Sequence, residues 1–360
     1  MLKFGQKIIA LVQMDQQSDF PLTDCILVVG GGNGEYILEL DGDLEIGQKN
    51  LAHSRSLIGG GAINQTLRLL KAGYSPLPIL PLGHDLLGQK IHHELLQEYQ
   101  LSGLGKQVLD YISNDNFLVR DLKTRLSTIV IHQQDRTIFT EKTTGLEHFY
   151  PHLVNRLQEL DEAVGDSLKA IAIGDISADA FSGGQCTQYL LERFSQRYLI
   201  FANPGKGQLG LAPSFWQEYI NRINILQLNI LEVKYLFTHI HNVPHPSLSQ
   251  LLDWLYQSPG NTVITCDHYG VLGIYPKEPE KIIFAPPINL TQTIDTTGAG
   301  DAFGAGLVSR LYRSGFSFLD FYGAIDEARV WAAYACCYVG GSADCPTPTV
   351  GLKLVKKSKF

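Results

Sequence analysis

Short, mostly apolar runs separated by stretches of helical period constrain this chain more than any other feature. The first is Cys25-Ile26-Leu27-Val28-Val29, closed by Gly30-Gly31-Gly32. Ala170–Ile173, Tyr198–Phe201, Asn224–Leu228 and Thr262–Thr265 follow the same plan. A short continuous apolar run suits a strand covered on both faces. Helical patterns lie at Asn64–Ala72, Gly88–Tyr99, Gln188–Phe194, Leu231–Phe237 and Leu248–Tyr256. Such alternation predicts an α/β fold, with a central, mostly parallel sheet flanked by helices. A hydrophobic fraction of 44% over 360 residues supplies the core that this sheet needs.

Two segments break the alternation. Tyr36–Leu57 opens with Tyr36-Ile37-Leu38-Glu39-Leu40 and then turns polar. Asn116–Lys142 holds Phe117-Leu118-Val119, Ser127–His132 and Arg136–Thr140. Neither has a helical period and both have strand character. They are expected to pair as a small β lid over the main sheet; surface hairpins are the plainer alternative. A lid strand pairing with a second copy would make a homodimer. The expected organisation is an N-terminal extension over 1–23, one domain over 24–350 with lid segments at about 36–57 and 116–142, and a C-terminal tail over 351–360.

Several function classes can be set aside. A net charge of -7 argues against a nucleic-acid partner, which favours a basic face. Lys353, Lys356, Lys357 and Lys359 read as a solvated chain end. The cysteines at 25, 186, 266, 336, 337 and 345 form no C-x-x-C pair, so zinc spacing is absent and reduced cytosolic thiols are expected. No stretch approaches the roughly 18 apolar residues of a membrane span. The apolar stretch Ile8–Val12 is too short to favour a signal peptide, and a cytoplasmic location is expected. Gly205-Lys206-Gly207 lacks the upstream glycine and the hydroxyl residue of a P-loop. Gly30-Gly31-Gly32-Asn33-Gly34-Glu35 ends in Glu and precedes a strand-like run, so the dinucleotide fingerprint fails.

Chemistry concentrates in Asp295-Thr296-Thr297-Gly298-Ala299-Gly300-Asp301, followed by a small-residue helical stretch from Ala302 to Leu311. Glycines before a helix N-terminus let the backbone approach an anion, and the free N–H groups there favour one. Asp301 adds a carboxylate beside that anion hole. A carboxylate is a poor phosphate ligand, so its fitting task is to take a proton from a hydroxyl nucleophile. An Asp that merely caps a helix after a glycine turn is the competing reading.

This segment resembles the C-terminal signature D-T-x-G-A-G-D of the ribokinase-like (PfkB) carbohydrate kinases. Gly59-Gly60-Gly61-Ala62-Ile63-Asn64 is similar to the family's N-terminal G-G-x-x-x-N, and Gly83–Gly88 to its G-x-D-x-x-G. Asn229-Ile230-Leu231-Glu232 resembles its N-x-x-E. The elements occur in family order between residues 25 and about 347. The resemblance implies an ATP-dependent kinase acting on a hydroxyl of a small molecule, with Mg²⁺ as cofactor. Asp301 would be the base, and the backbone of Gly298, Ala299 and Gly300 would hold the transferring phosphoryl group. Asn64, Gly60 and Gly61 would meet the acceptor. Asn229 and Glu232 would organise Mg²⁺ and its waters, and Thr265 and Gly270 would lie at the nucleotide.

Departures from the family pattern bear on the acceptor. Glu35 stands where many members have an acceptor-binding Asp. Asp267 stands where the nucleotide segment usually has Gly. The loop Gly340–Pro346 has the place of one that holds a monovalent cation, K⁺, in several relatives; Asp295 and Thr297 would supply further ligands. A sugar or sugar derivative is the expected acceptor. A nucleoside is the rival, and a catalytically retired nucleotide-binding relative is a second rival.

Overall fold

The computed structural model describes residues 24–341, apart from 133–134, 259, 279–281, 291–292, 315–316 and 339. The N-terminal extension, the C-terminal tail and the loop from Ser342 to Pro346 lie outside the described residues. Strand β1 (Cys25–Val29) lies one strand in from the sheet edge, and all 5 of its side chains are buried. Each such aliphatic burial is worth roughly 1.5–3 kcal/mol against exposure, which is why this run is strand and core at once. β1 pairs in parallel with β4 (Ser75–Ile79) on one side and β7 (Leu168–Ile173) on the other. The parallel set continues through β8 (Leu199–Ala202), β9 (Ile225–Asn229) and β10 (Asn261–Thr265). It then turns antiparallel at β11 (Val271–Ile274) and β12 (Ile282–Ala285), giving an 8-stranded sheet in the order β12-β11-β10-β9-β8-β7-β1-β4.

β4 is absent from the sequence reading because Pro76 and Pro78 argue against a strand. Its place at the sheet edge explains the tolerance. The Ser75 N–H donates inward to the Asp24 carbonyl at 3.4 Å, so the alternate positions 76 and 78 face away from β1, where a missing N–H costs no ladder bond. The outward Pro76 carbonyl accepts from the Tyr99 hydroxyl at 2.7 Å.

A second sheet of 4 strands stands beside the first, in the order β3-β2-β5-β6. It is built from β2 (Asn33–Leu40), β3 (Ala52–Gly59), β5 (Arg125–His132) and β6 (Asp135–Thr140). Phe117-Leu118-Val119 is not part of it. Asp115–Phe117 is a 3-10 turn, Phe117 and Val119 are buried in the main body, and the Val119 N–H donates to the Leu82 carbonyl at 2.7 Å. Those apolar residues read as strand but serve the core. The root of the small sheet is pinned by Asp85. One of its oxygens caps the Leu86–Leu101 helix at the Gly88 N–H (2.8 Å); the other accepts the Thr124 N–H, just before β5 (2.7 Å). The G-x-D-x-x-G segment thus ties a core helix to the small sheet. The Gly61–Lys71, Ala299–Ser314 and Phe318–Ala335 helices pack in sequence along one flank and bring their ends to the same rim.

Candidate active site

The carboxyl ends of β1, β7, β8 and β9 open onto this rim, the place where parallel α/β sheets bind ligands. The Ala299–Ser314 helix starts here. Gly298 precedes it with φ 72°, and a Cβ there would lie 2.7 Å from the Gly341 backbone. Both conformation and space therefore demand glycine. Gln227, buried in β9, donates from Nε2 to the Gly300 carbonyl at 2.9 Å and fixes the turn from below. The first N–H groups of a helix have no intrahelical acceptor, and the helix dipole adds positive potential. This combination suits a phosphoryl group.

Asp301 lies in the first turn of that helix, two residues past its start, and does not cap it. The Asn64 amide donates to its Oδ2 at 2.7 Å. Burial raises the Asp301 pKa above the ordinary aspartate range, while the Asn64 hydrogen bond and the Arg68 charge pull it back down. A carboxylate so placed is ionisable yet a better proton acceptor than a solvated Asp. Asn64 is not a helix cap either. Gly60 holds that position with φ 95°, and the Asn64 N–H donates to its carbonyl at 2.9 Å. A Cβ on Gly61 would come within 3.1 Å of Asp301 Oδ1, so the Gly61 backbone faces the carboxylate directly.

Glu35 is the third residue of β2 and is buried, at 7% exposure, so it is not a solvated residue at a loop mouth. It shares a row of the small sheet with Leu57, Ser127 and Thr140. A Cβ on Gly340 would lie 2.7 Å from the Leu57 side chain, which turns this row toward the Gly340–Gly341 segment and Asn64. Two further charged residues belong to the rim and are missing from the sequence reading. Asp175 follows β7 after Gly174; burial raises its pKa, and the Arg125 charge lowers it. Arg125 opens β5 opposite Asn33 and donates to the Ser177 hydroxyl at 2.7 Å. A carboxylate two residues beyond a buried strand, at the carboxyl edge of a parallel sheet, is the signal that could have found Asp175.

The nucleotide-side candidates lie along β9 and β10. Asn229 and Glu232 form a reciprocal cap on the Ile230–His241 helix. Asn229 Oδ1 accepts the N–H groups of Leu231 and Glu232, each at 2.9 Å, and Glu232 Oε2 accepts the Asn229 N–H at 2.7 Å. Burial raises the Glu232 pKa against that backbone donation. Thr265 ends β10 beside Asn229, and the Cys266 N–H donates to the Gly270 carbonyl at 2.8 Å, closing a turn. Asp267 takes φ 52° in that turn, the left-handed conformation that a glycine adopts freely, and its side chain is exposed. Asp295 Oδ1 accepts both the N–H and the hydroxyl of Thr297, at 2.9 and 2.7 Å, and Oδ2 accepts the Gly340 N–H at 2.9 Å.

The model of the family described as pfkB family carbohydrate kinase matches residues 116–348. The chain belongs to the PfkB carbohydrate kinase family. The G-G-x-x-x-N segment at Gly59–Asn64 lies outside that match and is placed at Asp301 by the fold. No curated protein sequence matches the chain. Among solved structures it is similar to a ribokinase of Thermotoga maritima, with 16% identity and a TM-score of 0.66 over 93% of this chain and 99% of that one. A nucleoside kinase of Methanocaldococcus jannaschii shows 17% identity and a TM-score of 0.67 over 94% and 99%. A Burkholderia thailandensis nucleoside kinase in complex with inosine shows 18% identity and a TM-score of 0.67 over 92% and 96%. At these identities the likeness establishes the ribokinase fold, and this PfkB chain shares it with sugar and nucleoside kinases alike.

Proposed function

We propose that this PfkB chain transfers the γ-phosphoryl group of ATP to a hydroxyl of a sugar or sugar derivative. The observation that carries this reading is the buried Asp301 carboxylate, held by Asn64 in the first turn of a helix that opens at the left-handed Gly298. Asp301 takes the proton of the acceptor hydroxyl as the oxygen attacks phosphorus. The N–H groups of the Gly298–Gly300 turn meet the charge that spreads over the phosphoryl oxygens. Asn64 fixes the base and presents its amide to the acceptor.

The acceptor surface is polar: Asn33, Glu35, Arg125, Ser127, Thr140 and Asp175 contribute donors and acceptors, which supports a polyhydroxy molecule over an aromatic base. Thr265 and Gly270 border the nucleotide. Glu232 and Asn229 fit an Mg²⁺ that arrives with the phosphates and its own waters, because a half-buried carboxylate of raised pKa gains from a nearby cation. Among the described residues no group of three or more His, Cys, Asp or Glu could hold a metal alone. Mg²⁺ would neutralise phosphate charge there. Tyr36 and Phe139 share a row of the small sheet, are exposed, and are the residues a lid-mediated homodimer would cover. No helix among the described residues is long and apolar enough to cross a membrane.

An ADP-release screen over sugars, sugar acids and nucleosides tests the reading. A sugar or sugar acid should give the highest kcat/KM. A nucleoside preferred over every sugar would replace the sugar with the nucleoside, and ATP binding without turnover on any member would overturn the kinase reading.

A further inference from the structure

The Gly61–Lys71 helix is buried from Ala62 to Leu70, and Arg68, at 2% exposure, is inside that buried stretch. Arg68 lies one turn after Asn64, on the same helix face. Its Nη2 donates to the Gly341 carbonyl at 3.1 Å. Gly341 is the residue against which Gly298 packs, and its Cα side also presses on the Asn64 amide, where a Cβ would overlap. Arg68 is therefore the second tether of a segment that Asp295 already holds through the Gly340 N–H. Its positive charge reaches both Asp301 and Cys336. A buried guanidinium is costly unless its surroundings return something. Here it faces the carbonyl under the anion hole and the base beside it.

Within the described part of this segment a positive charge is already in place: the Arg68 guanidinium donates to the Gly341 carbonyl, and the Asp295 carboxylate accepts from Thr297 and from the Gly340 N–H. We propose that the Arg68 guanidinium is a built-in monovalent cation, which anchors Gly341 under the phosphate-binding turn so that turnover needs no added potassium. This deepens the kinase reading and rests on it. Arg68 touches neither substrate in this role; it positions the turn and supplies a fixed charge.

The test compares rates at equal ionic strength in potassium, sodium and tetramethylammonium chloride. The wild-type rate should be the same in all three. Arg68→Met, which fills the space without charge, should lose about 10- to 100-fold in kcat, near the scale of removing one donor to a transition state, and no salt should restore it. Arg68→Ala leaves room, so potassium or added guanidinium should recover at least about a tenth of the lost rate, an effect that purely structural damage would not show. Thermal unfolding gives a readout without turnover. Potassium should raise the melting temperature of Arg68→Ala over tetramethylammonium, by binding the folded state, and leave the wild type unmoved. A wild-type rate or melting temperature that rises with potassium would overturn the proposal, and so would an Arg68→Ala protein indifferent to every cation. If no acceptor is phosphorylated in any salt, the kinase reading fails while the melting comparison still decides the role of Arg68.

Discussion

The turn that would receive the phosphoryl group and the sheet that would cover the acceptor are built to different tolerances. At the turn, Gly298 packs on Gly341, Gly341 on Asn64, and Asn64 holds Asp301. Gln227 and Arg68 fasten the same backbone from two sides. Close-packed groups of this kind cannot shift singly, because each is the wall of the next. The small sheet is firm only at its root, around Asn33, Gly59 and Arg125. Further out β3 is exposed from Ala52 to Ser56, and a Cβ on Gly42 would meet nothing within 4 Å. Phosphoryl transfer needs one fixed geometry, whereas an acceptor surface needs shape that can be adjusted and closed. The division teaches that the chemical step should be brittle to substitution and acceptor affinity graded.

The largest expected effect is at Asp301, the proposed base. Asp301→Asn should lower kcat by at least about three orders of magnitude with ATP affinity by calorimetry nearly intact, the scale of removing a base or an electrostatic stabiliser. More than a tenth of wild-type activity would remove Asp301 from that role. Next comes the packing beneath it. Gly341→Ala would push a methyl into the Asn64 amide and should cost about 1–3 kcal/mol in chemical denaturation and displace the base, lowering kcat. Gly42→Ala in the connection between β2 and β3 is the matched control and should stay within about 0.5 kcal/mol. Equal tolerance at both sites would break the comparison. Glu35→Gln should raise the acceptor KM about 10- to 150-fold and leave the ATP KM alone, the loss expected for charge-assisted hydrogen bonds of about 1.5–3 kcal/mol. A change under about threefold would move acceptor recognition from Glu35 to Asn64 and Asp175. The smallest effect is dynamic. Backbone amides of β2, β3 and β5 should gain hydrogen-exchange protection at saturating acceptor, while those of β1 and β9 stay as they were. Uniform protection across both sheets would argue against a moving lid.

Sequence reasoning reaches the Gly298–Asp301 turn because its parts are local. Gly298, Gly300 and Asp301 fall within four residues, and the small-residue stretch that follows them reads as a helix. The main parallel strands are equally plain, since burial on both faces leaves continuous apolar runs. β4 escapes notice because an edge strand can carry prolines that a central one cannot. Phe117–Val119 misleads because a strand and an irregular core segment share the same composition. Asp175 and Arg68 gain their roles only from contacts across the fold. Arg68 meets Gly341 over a separation of 273 residues, which no local spacing encodes. An arginine within Leu67-Arg68-Leu69-Leu70, four residues from Asn64, was still a visible anomaly in an otherwise apolar stretch.

The central claim is that the buried Asp301 carboxylate takes the proton of the acceptor hydroxyl. The pH dependence of kcat/KM tests it most directly, since that profile reports the base in the free enzyme. Burial raises the Asp301 pKa, so activity should fall on acidification at a pH above the ordinary aspartate range. Asn64 lowers that pKa by donating to the ionised form, so Asn64→Leu should move the acidic limb to still higher pH. An acidic limb at the ordinary aspartate value, or one that stays in place when Asn64 is replaced, would contradict the account.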